Sequence, residues 1–143
     1  MDNATQNAFR LHEDFTLSLS PYGREVAMWG NQARNSGHEV LLHLPMQTQA
    51  FPAVDPGPYG LLATLKPSEN LEHLHWIMNR FPGYVGFLGA PDSALPPSII
   101  RNCLSDIAAR GLLMIGLPPT VETSNSDDKS QMGLINLSIN HVI

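Results

Sequence analysis

The side chains of this sequence that could move a proton or hold a metal are six histidines, one cysteine and thirteen carboxylates. His43 stands out among them. It lies in HEVLLHLPMQ (residues 38–47), near the end of an apolar run that Pro45 interrupts, so the ring falls where a strand stops and a loop begins. A neutral imidazole at that point can direct a nitrogen into a cleft and bind zinc or a related metal. It can equally be a structural histidine hydrogen-bonded to a neighbouring carbonyl. Asp92, within APDS after a later apolar run, is either a base or ligand at a strand end or part of an ordinary turn into a helix. His73 and His75 form an H-x-H pair on a helical pattern, where residues two apart face different ways, which argues against a shared metal. His75 falls on the apolar side of that helix, with His73 beside it. His12, His38 and His141 carry no motif and read as surface or edge residues, and Asp127 and Asp128 read as solvated charge. Cys103 occupies the apolar face of another helical pattern and reads as a buried thiol rather than a nucleophile. P-loop, G-x-G-x-x-G, G-x-S-x-G and C-x-x-C patterns do not occur.

The elements that must position these residues follow from periodicity. Phe15 to Leu19 has strand character and is broken by Ser20-Pro21-Tyr22-Gly23. Arg24 to Ser36 places Val26, Trp29, Gly30 and Ala33 on one helical face, with Gly37 as its cap. Glu39 to Leu44 is a short apolar run of the kind buried on both faces of a parallel sheet. Residues 45–67 form a long loop rich in proline and glycine; its apolar side chains, Met46, Phe51, Tyr59, Leu61 and Leu62, predict that it is ordered. A second helix over 69–80, opened by Pro67-Ser68, shows Leu71, Leu74, His75 and Met78 on one face. Tyr84 to Leu88 predicts a third strand. Ser98 to Arg110 predicts a third helix packed through Ile100, Cys103, Leu104, Ile107 and Ala108 and capped by Gly111. Leu112 to Ile115 predicts a fourth strand, residues 118–132 a polar mobile loop, and 134–142 a terminal strand. Alternation of this kind implies an α/β fold with a largely parallel sheet, either open or part of a barrel. Function then belongs at the C-terminal ends of the strands, where His43, the loop after it and residues 89–97 all fall.

Bulk properties narrow the function classes. A chain of 143 residues with 43% hydrophobic residues suits one globular domain. A net charge of −5 with eight scattered basic residues gives no footprint for nucleic acid or an anionic membrane. One cysteine allows no internal disulfide and leaves the compartment open. No apolar stretch approaches the roughly 20 residues that span a bilayer, and MDNATQNAFRLHEDF at the N-terminus has no apolar signal-peptide core.

Several segments, in order and with the family's spacing, resemble the divergent polysaccharide deacetylases: LSLSPYGRE (17–25), SGHEVLLHLPMQ (36–47), VDPGPYGLL (54–62), PSENLEHLHWIMNRFPGYVGFLG (67–89) and AARGLLMIG (108–116). The resemblance covers about residues 11–116. It implies a partial or shortened deformed (β/α) barrel and a place in carbohydrate metabolism, with polysaccharide or peptidoglycan-like sugars as substrates. A periplasmic or secreted location would fit such a cell-envelope substrate. The chemistry implied is metal-assisted hydrolysis of acetyl groups, a divalent metal polarising the carbonyl and activating water. By resemblance, zinc is the expected metal and His43 the metal-site residue. The loop 45–60 would line the sugar groove through Pro45, Met46, Asp55 and Gly57, with Tyr59 as a stacking face. Asp92 is the only nearby acid to nominate as base.

The departures from the family pattern are specific. The adjacent aspartates that end the family's first strand have no counterpart, and Glu13-Asp14 falls in the wrong place. The stretch after G-Y-V-G reads Phe87-Leu88-Gly89-Ala90-Pro91-Asp92-Ser93 and lacks the family's histidine, while Gln47 stands where many relatives carry glutamate. The expectation is therefore one deacetylase-like domain over 1–143, lacking the family's first strand and C-terminal part. Whether the chain is an enzyme is left open by the sequence. Acetyl hydrolysis is expected to be impaired, with a non-catalytic carbohydrate-binding or structural remnant, holding no metal, as the alternative. Absent strands would leave sheet edges free, so homo-oligomers are also expected.

Overall fold

A computed structural model describes residues 15–118 and 133–135 of the chain. The expectations for His12, Glu13-Asp14, the polar stretch 119–132, His141 and the terminal strand beyond 135 lie outside the described residues. Five strands, β1 (Phe15–Leu19), β2 (Val40–His43), β3 (Gly86–Leu88), β4 (Leu113–Ile115) and β5 (Gly133–Ile135), form one sheet in the order β4-β3-β2-β1-β5. Every pairing is parallel. The helices α1 (Val26–Asn35), α2 (Pro67–Met78) and α3 (Pro97–Ala109) connect β1 to β2, β2 to β3 and β3 to β4. Each connection therefore steps to the adjacent strand in the same direction, from β1 through to β4. That progression belongs to a barrel wall. β5 lies on the far side of β1, so coverage is the deciding feature: all three helices pack on one face, as around a barrel, whereas an open, doubly wound sheet carries helices on both. Of the two arrangements left open by alternation, the structure has the partial barrel.

Strand alternation separates two faces. Leu17, Leu19, Val40, Leu42, Phe87 and Met114 fall on one face and join the main core. All three helices pack there: α1 through Val26, Trp29 and Ala33, α2 through Leu74, Ile77 and Met78, and α3 through Ile100, Cys103 and Ile107. The opposite face carries a separate apolar patch, Leu41, Leu88 and Ile115. His43 pairs in register with Leu88 on that second face, the side that would be the interior of a closed barrel.

Several details depart from the periodicity. His75 does not join the apolar face of α2; its place is taken by Ile77, which is fully buried, and His75 instead donates from Nε2 to Asp106 Oδ2 on α3 at 3.0 Å. The helix face is rotated because α2 has to meet both the sheet and α3, and the half-exposed margin suits a polar ring. Ala108 is exposed and Leu104 only partly buried, so the apolar stripe of α3 is narrower than the pattern suggests. His38 is buried at 3% exposure, not a surface residue, because the turn that caps α1 folds it inward as its N–H donates to Ala33 O (3.1 Å).

The long loop 45–67 is ordered, as its apolar content predicts. Met46 bridges Leu61 in parallel fashion and Thr48 bridges Ser93 in antiparallel fashion. Gln47 ties three segments together. Its N–H donates to Leu61 O (2.9 Å), its carbonyl accepts from Ala94 N–H (2.9 Å), and its Oε1 accepts from Ala63 N–H (3.1 Å). Buried Asn70 on α2 closes the far end, accepting from Leu62 N–H and donating to Leu62 O, both at 3.0 Å. Backbone groups of a loop drawn this close to the core need such partners.

The approach of β3 to β4 leaves no room for a side chain at Gly86, where a Cβ would lie 2.4 Å from Leu113 O. Gly86→Ala is expected to destabilise the fold by about 2 kcal/mol or more, since the clash is with paired backbone rather than a movable side chain. Urea denaturation followed by circular dichroism measures this.

Candidate functional site

Because the strands are parallel and in register, the residues that follow β1, β2 and β3 emerge together on one rim. They line a cleft of about 410 Å³. Ser20 and Tyr22 come from the turn after β1, and His43, Pro45, Met46 and Thr48 from the end of β2 and its loop. Val54 to Gly57 supply another side, and Gly89 to Asp92 close it from beyond β3. Of the residues singled out from the sequence, His43, Pro45, Met46, Asp55, Gly57 and Asp92 are thus brought to one place. Tyr59 is not among the lining residues. Its ring is stacked on Trp76 at 3.8 Å and 3°, with His73 in a T-shaped contact, so one of its two faces is covered by protein.

His43 is largely buried, and burial lowers its pKa below the usual histidine value. The ring is therefore neutral at pH 7, the form that can donate a lone pair. Neither ring nitrogen makes a hydrogen bond to a described residue, so the carbonyl partner of a structural histidine is not found among them.

Sequence patterns missed Tyr22, which organises one wall. Its hydroxyl donates to Pro56 O at 2.6 Å and accepts from Tyr59 N–H at 3.2 Å. Burial pushes its pKa up to about 12, so it stays protonated and remains a donor. Gly57, at φ +91°, lies so close under this ring that a Cβ would come within 2.7 Å of Tyr22 Cζ. Asp55 Oδ1 accepts from Gly57 N–H (2.8 Å), closing a tight turn that holds the carboxylate at the rim. Arg80 anchors the turn that carries Tyr22 from behind: its Nε donates to Pro21 O (2.8 Å), its Nη2 donates to Gly23 O, and its guanidinium lies 5.0 Å from the centre of the Trp76 ring. Tyrosine within S-P-Y-G, next to a turn, was the one available signal for this role.

The other titratable candidates stand apart. His73 donates from Nδ1 to Gly60 O (3.0 Å) and His75 is joined to Asp106, so the H-x-H pair does not converge. Cys103 is buried under α3 with its thiol pKa raised to about 11, mainly by burial, which makes it a poor nucleophile.

With this geometry in hand, comparison with known proteins identifies the lineage. The family model described as divergent polysaccharide deacetylase matches residues 2–129. The chain belongs to that family. No curated protein matches it. Among solved structures, an uncharacterised protein of Agrobacterium tumefaciens C58 superposes with a TM-score of 0.73 at 25% identity, over 95% of this chain and 56% of that one. The chain thus spans little more than half the length of that solved relative. No helix among the described residues is long and apolar enough to cross a membrane.

A pKa depressed by folding has a defined consequence. Above about pH 6.5 His43 is neutral in the folded and unfolded chain alike. As the pH falls below that, the unfolded chain takes up a proton that the folded chain refuses, and stability is lost. His43→Gln is expected to remove this part of the acid-side slope. Urea midpoints of both proteins from neutral to mildly acidic pH measure it, and the His43 ring signals in an NMR titration should move at a midpoint below the ordinary value.

Proposed function

We propose that the chain acts in carbohydrate metabolism by taking a polysaccharide or peptidoglycan-like sugar into this cleft, and that metal-assisted removal of acetyl groups is impaired in it. Family membership supports the substrate class. The observation that carries the reading is the cleft's donor set, which has one neutral histidine with no hydrogen-bond partner among the described residues.

A catalytic zinc is held by three protein ligands with one position left open. Among the described residues no group of three or more histidine, cysteine, aspartate or glutamate side chains converges. The described donors alone therefore do not make up a complete centre. A divalent metal, zinc for preference, would find one ligand in His43. In the reading proposed, Pro45, Met46, Asp55 and Gly57 form the sugar path and Tyr59 braces it from behind. Asp92 is the acid available as a base should hydrolysis occur. Self-association belongs to the same proposal, because β4 is an edge strand with β3 as its only partner among the described residues. Light scattering should then show a mass above the monomer that rises with concentration.

Calorimetry and acetate release separate binding from catalysis. The expected result is oligosaccharide binding weakened by His43→Ala, zinc binding weaker than about micromolar (a free energy of about −8 kcal/mol), and no acetate liberated from an acetylated oligosaccharide. Micromolar zinc binding abolished by His43→Ala, together with acetate release, would replace this reading with that of a working deacetylase. Absence of any sugar binding would remove both.

A further inference from the structure

We infer that Tyr22 is the positioning residue of this cleft: its hydroxyl holds the wall formed by Val54 to Gly57 in place and so sets the affinity for the sugar that enters. The inference rests on the reading of the cleft as a sugar site and names the contact that shapes it.

Two loops from adjacent strands line the cleft, and one hydroxyl joins them. Ser20 and Tyr22 belong to the turn after β1, and Val54 to Gly57 to the loop after β2. That wall is largely exposed, Val54 being 58% accessible. Its own hydrogen bonds are local: Phe51 N–H to Thr48 O (3.1 Å), Val54 N–H to Ala50 O (2.9 Å) and Gly57 N–H to Asp55 Oδ1 (2.8 Å). Among the described residues, the Tyr22 hydroxyl alone hydrogen-bonds the stretch 54–59 to a residue outside the loop. It donates to Pro56 O (2.6 Å) and accepts from Tyr59 N–H (3.2 Å). Tyr22 is itself fixed. Arg80, just past α2, brackets it by bonding the carbonyls of Pro21 and Gly23, and the Tyr22 N–H donates to Ser20 Oγ (3.3 Å). The Trp76 ring lies 6.0 Å from the Tyr22 ring. Contact with the wall is close, since a Cβ at Gly57 would lie 2.7 Å from the Tyr22 hydroxyl oxygen. A residue held from the end of α2 thus holds a segment otherwise bonded only within its own loop. Burial pushes the Tyr22 pKa up to about 12, so the bond to Pro56 O persists well above neutral pH. An exposed segment left free must be ordered by the ligand, and that ordering is subtracted from affinity. A segment ordered beforehand gives tighter binding for the same contacts.

The test uses Tyr22→Phe, which removes the hydroxyl and keeps the ring. Ile107→Val, a core change on α3 outside the cleft lining, controls for lost global stability. Amide hydrogen exchange, and calorimetry with an N-acetylglucosamine oligosaccharide, are measured on the wild type and both variants. In Tyr22→Phe, exchange at Val54 and Gly57, whose N–H groups do not bond Tyr22, is expected to be about tenfold faster. Oligosaccharide affinity is expected to fall roughly five- to tenfold. Ile107→Val should show neither change. Gly57→Ala, which pushes the wall off the ring, should also weaken binding, and the double variant should lose less than the two losses added. Faster exchange at Tyr59 alone would make the hydroxyl a cap on one amide, and equal effects in Ile107→Val would trace them to stability. Either result, or binding undiminished in Tyr22→Phe, would overturn the inference and leave the sugar cleft standing. If the wild type binds no oligosaccharide, the sugar cleft itself fails and the inference with it.

Discussion

Parallel pairing in a single register is the constraint on which the rest depends. Leu19 aligns with Leu42, and His43 with Leu88. Those alignments fix the level at which each chain leaves the sheet, so Ser20, His43 and Gly89 reach the same rim. A one-residue slip of β2 would turn Leu42 to the inner face and His43 towards the helices. The core forbids that slip, since Val40 and Leu42 are fully buried beneath the helices and aligned with Leu17 and Leu19. The position of the site histidine is therefore a by-product of hydrophobic packing on the other side of the same strand.

The loops obey a different rule. A parallel sheet brings strand ends together but says nothing about the segments that follow. Here these segments are held by backbone hydrogen bonds to a few side chains, each bonding more than one partner. Gln47 bonds backbone on both sides of the loop, Asn70 doubly bonds Leu62, and the Tyr22 hydroxyl both donates and accepts. The glutamine at 47 fills this role with a neutral side chain. Its Oε1 accepts from Ala63 N–H without bringing a charge beside the apolar Met46 and Leu61. A position where many relatives carry an acid is thus, in this chain, part of the loop's support.

How much of this could be read beforehand follows the same division. The four strands from β1 to β4 and the three helices were legible because their burial is local and periodic: Val26, Trp29, Gly30 and Ala33 occupy the predicted buried face of α1 without exception. The gathering of His43, Asp55 and Asp92 at one end was legible from topology alone, since parallel strands share a functional end. Periodicity failed where an element meets two neighbours at once. In α2 it chose His75 over Ile77, because a helix wheel contains the sheet-facing stripe but not the rotation imposed by α3. It also failed where side chains meet across long sequence separations. Nothing near Tyr22 announces Pro56, and nothing near Tyr59 announces that Trp76 will cover its ring.

The same contrast bears on what His43 has become. An imidazole kept in a cleft with neither a hydrogen-bond partner nor metal-binding companions among the described residues is costly in principle, because a buried polar atom gains from a partner. Its exposure to the cleft reduces that cost, as solvent or ligand can reach the nitrogen. Burial meanwhile keeps the ring uncharged, the form that can offer a lone pair within a cleft that Asp55 and Asp92 also line. A protonated His43 would cancel part of the field of those carboxylates, and a metal there would cancel more. A neutral histidine and two rim carboxylates thus share one cleft, and its floor and its rim differ in polarity for reasons of packing alone.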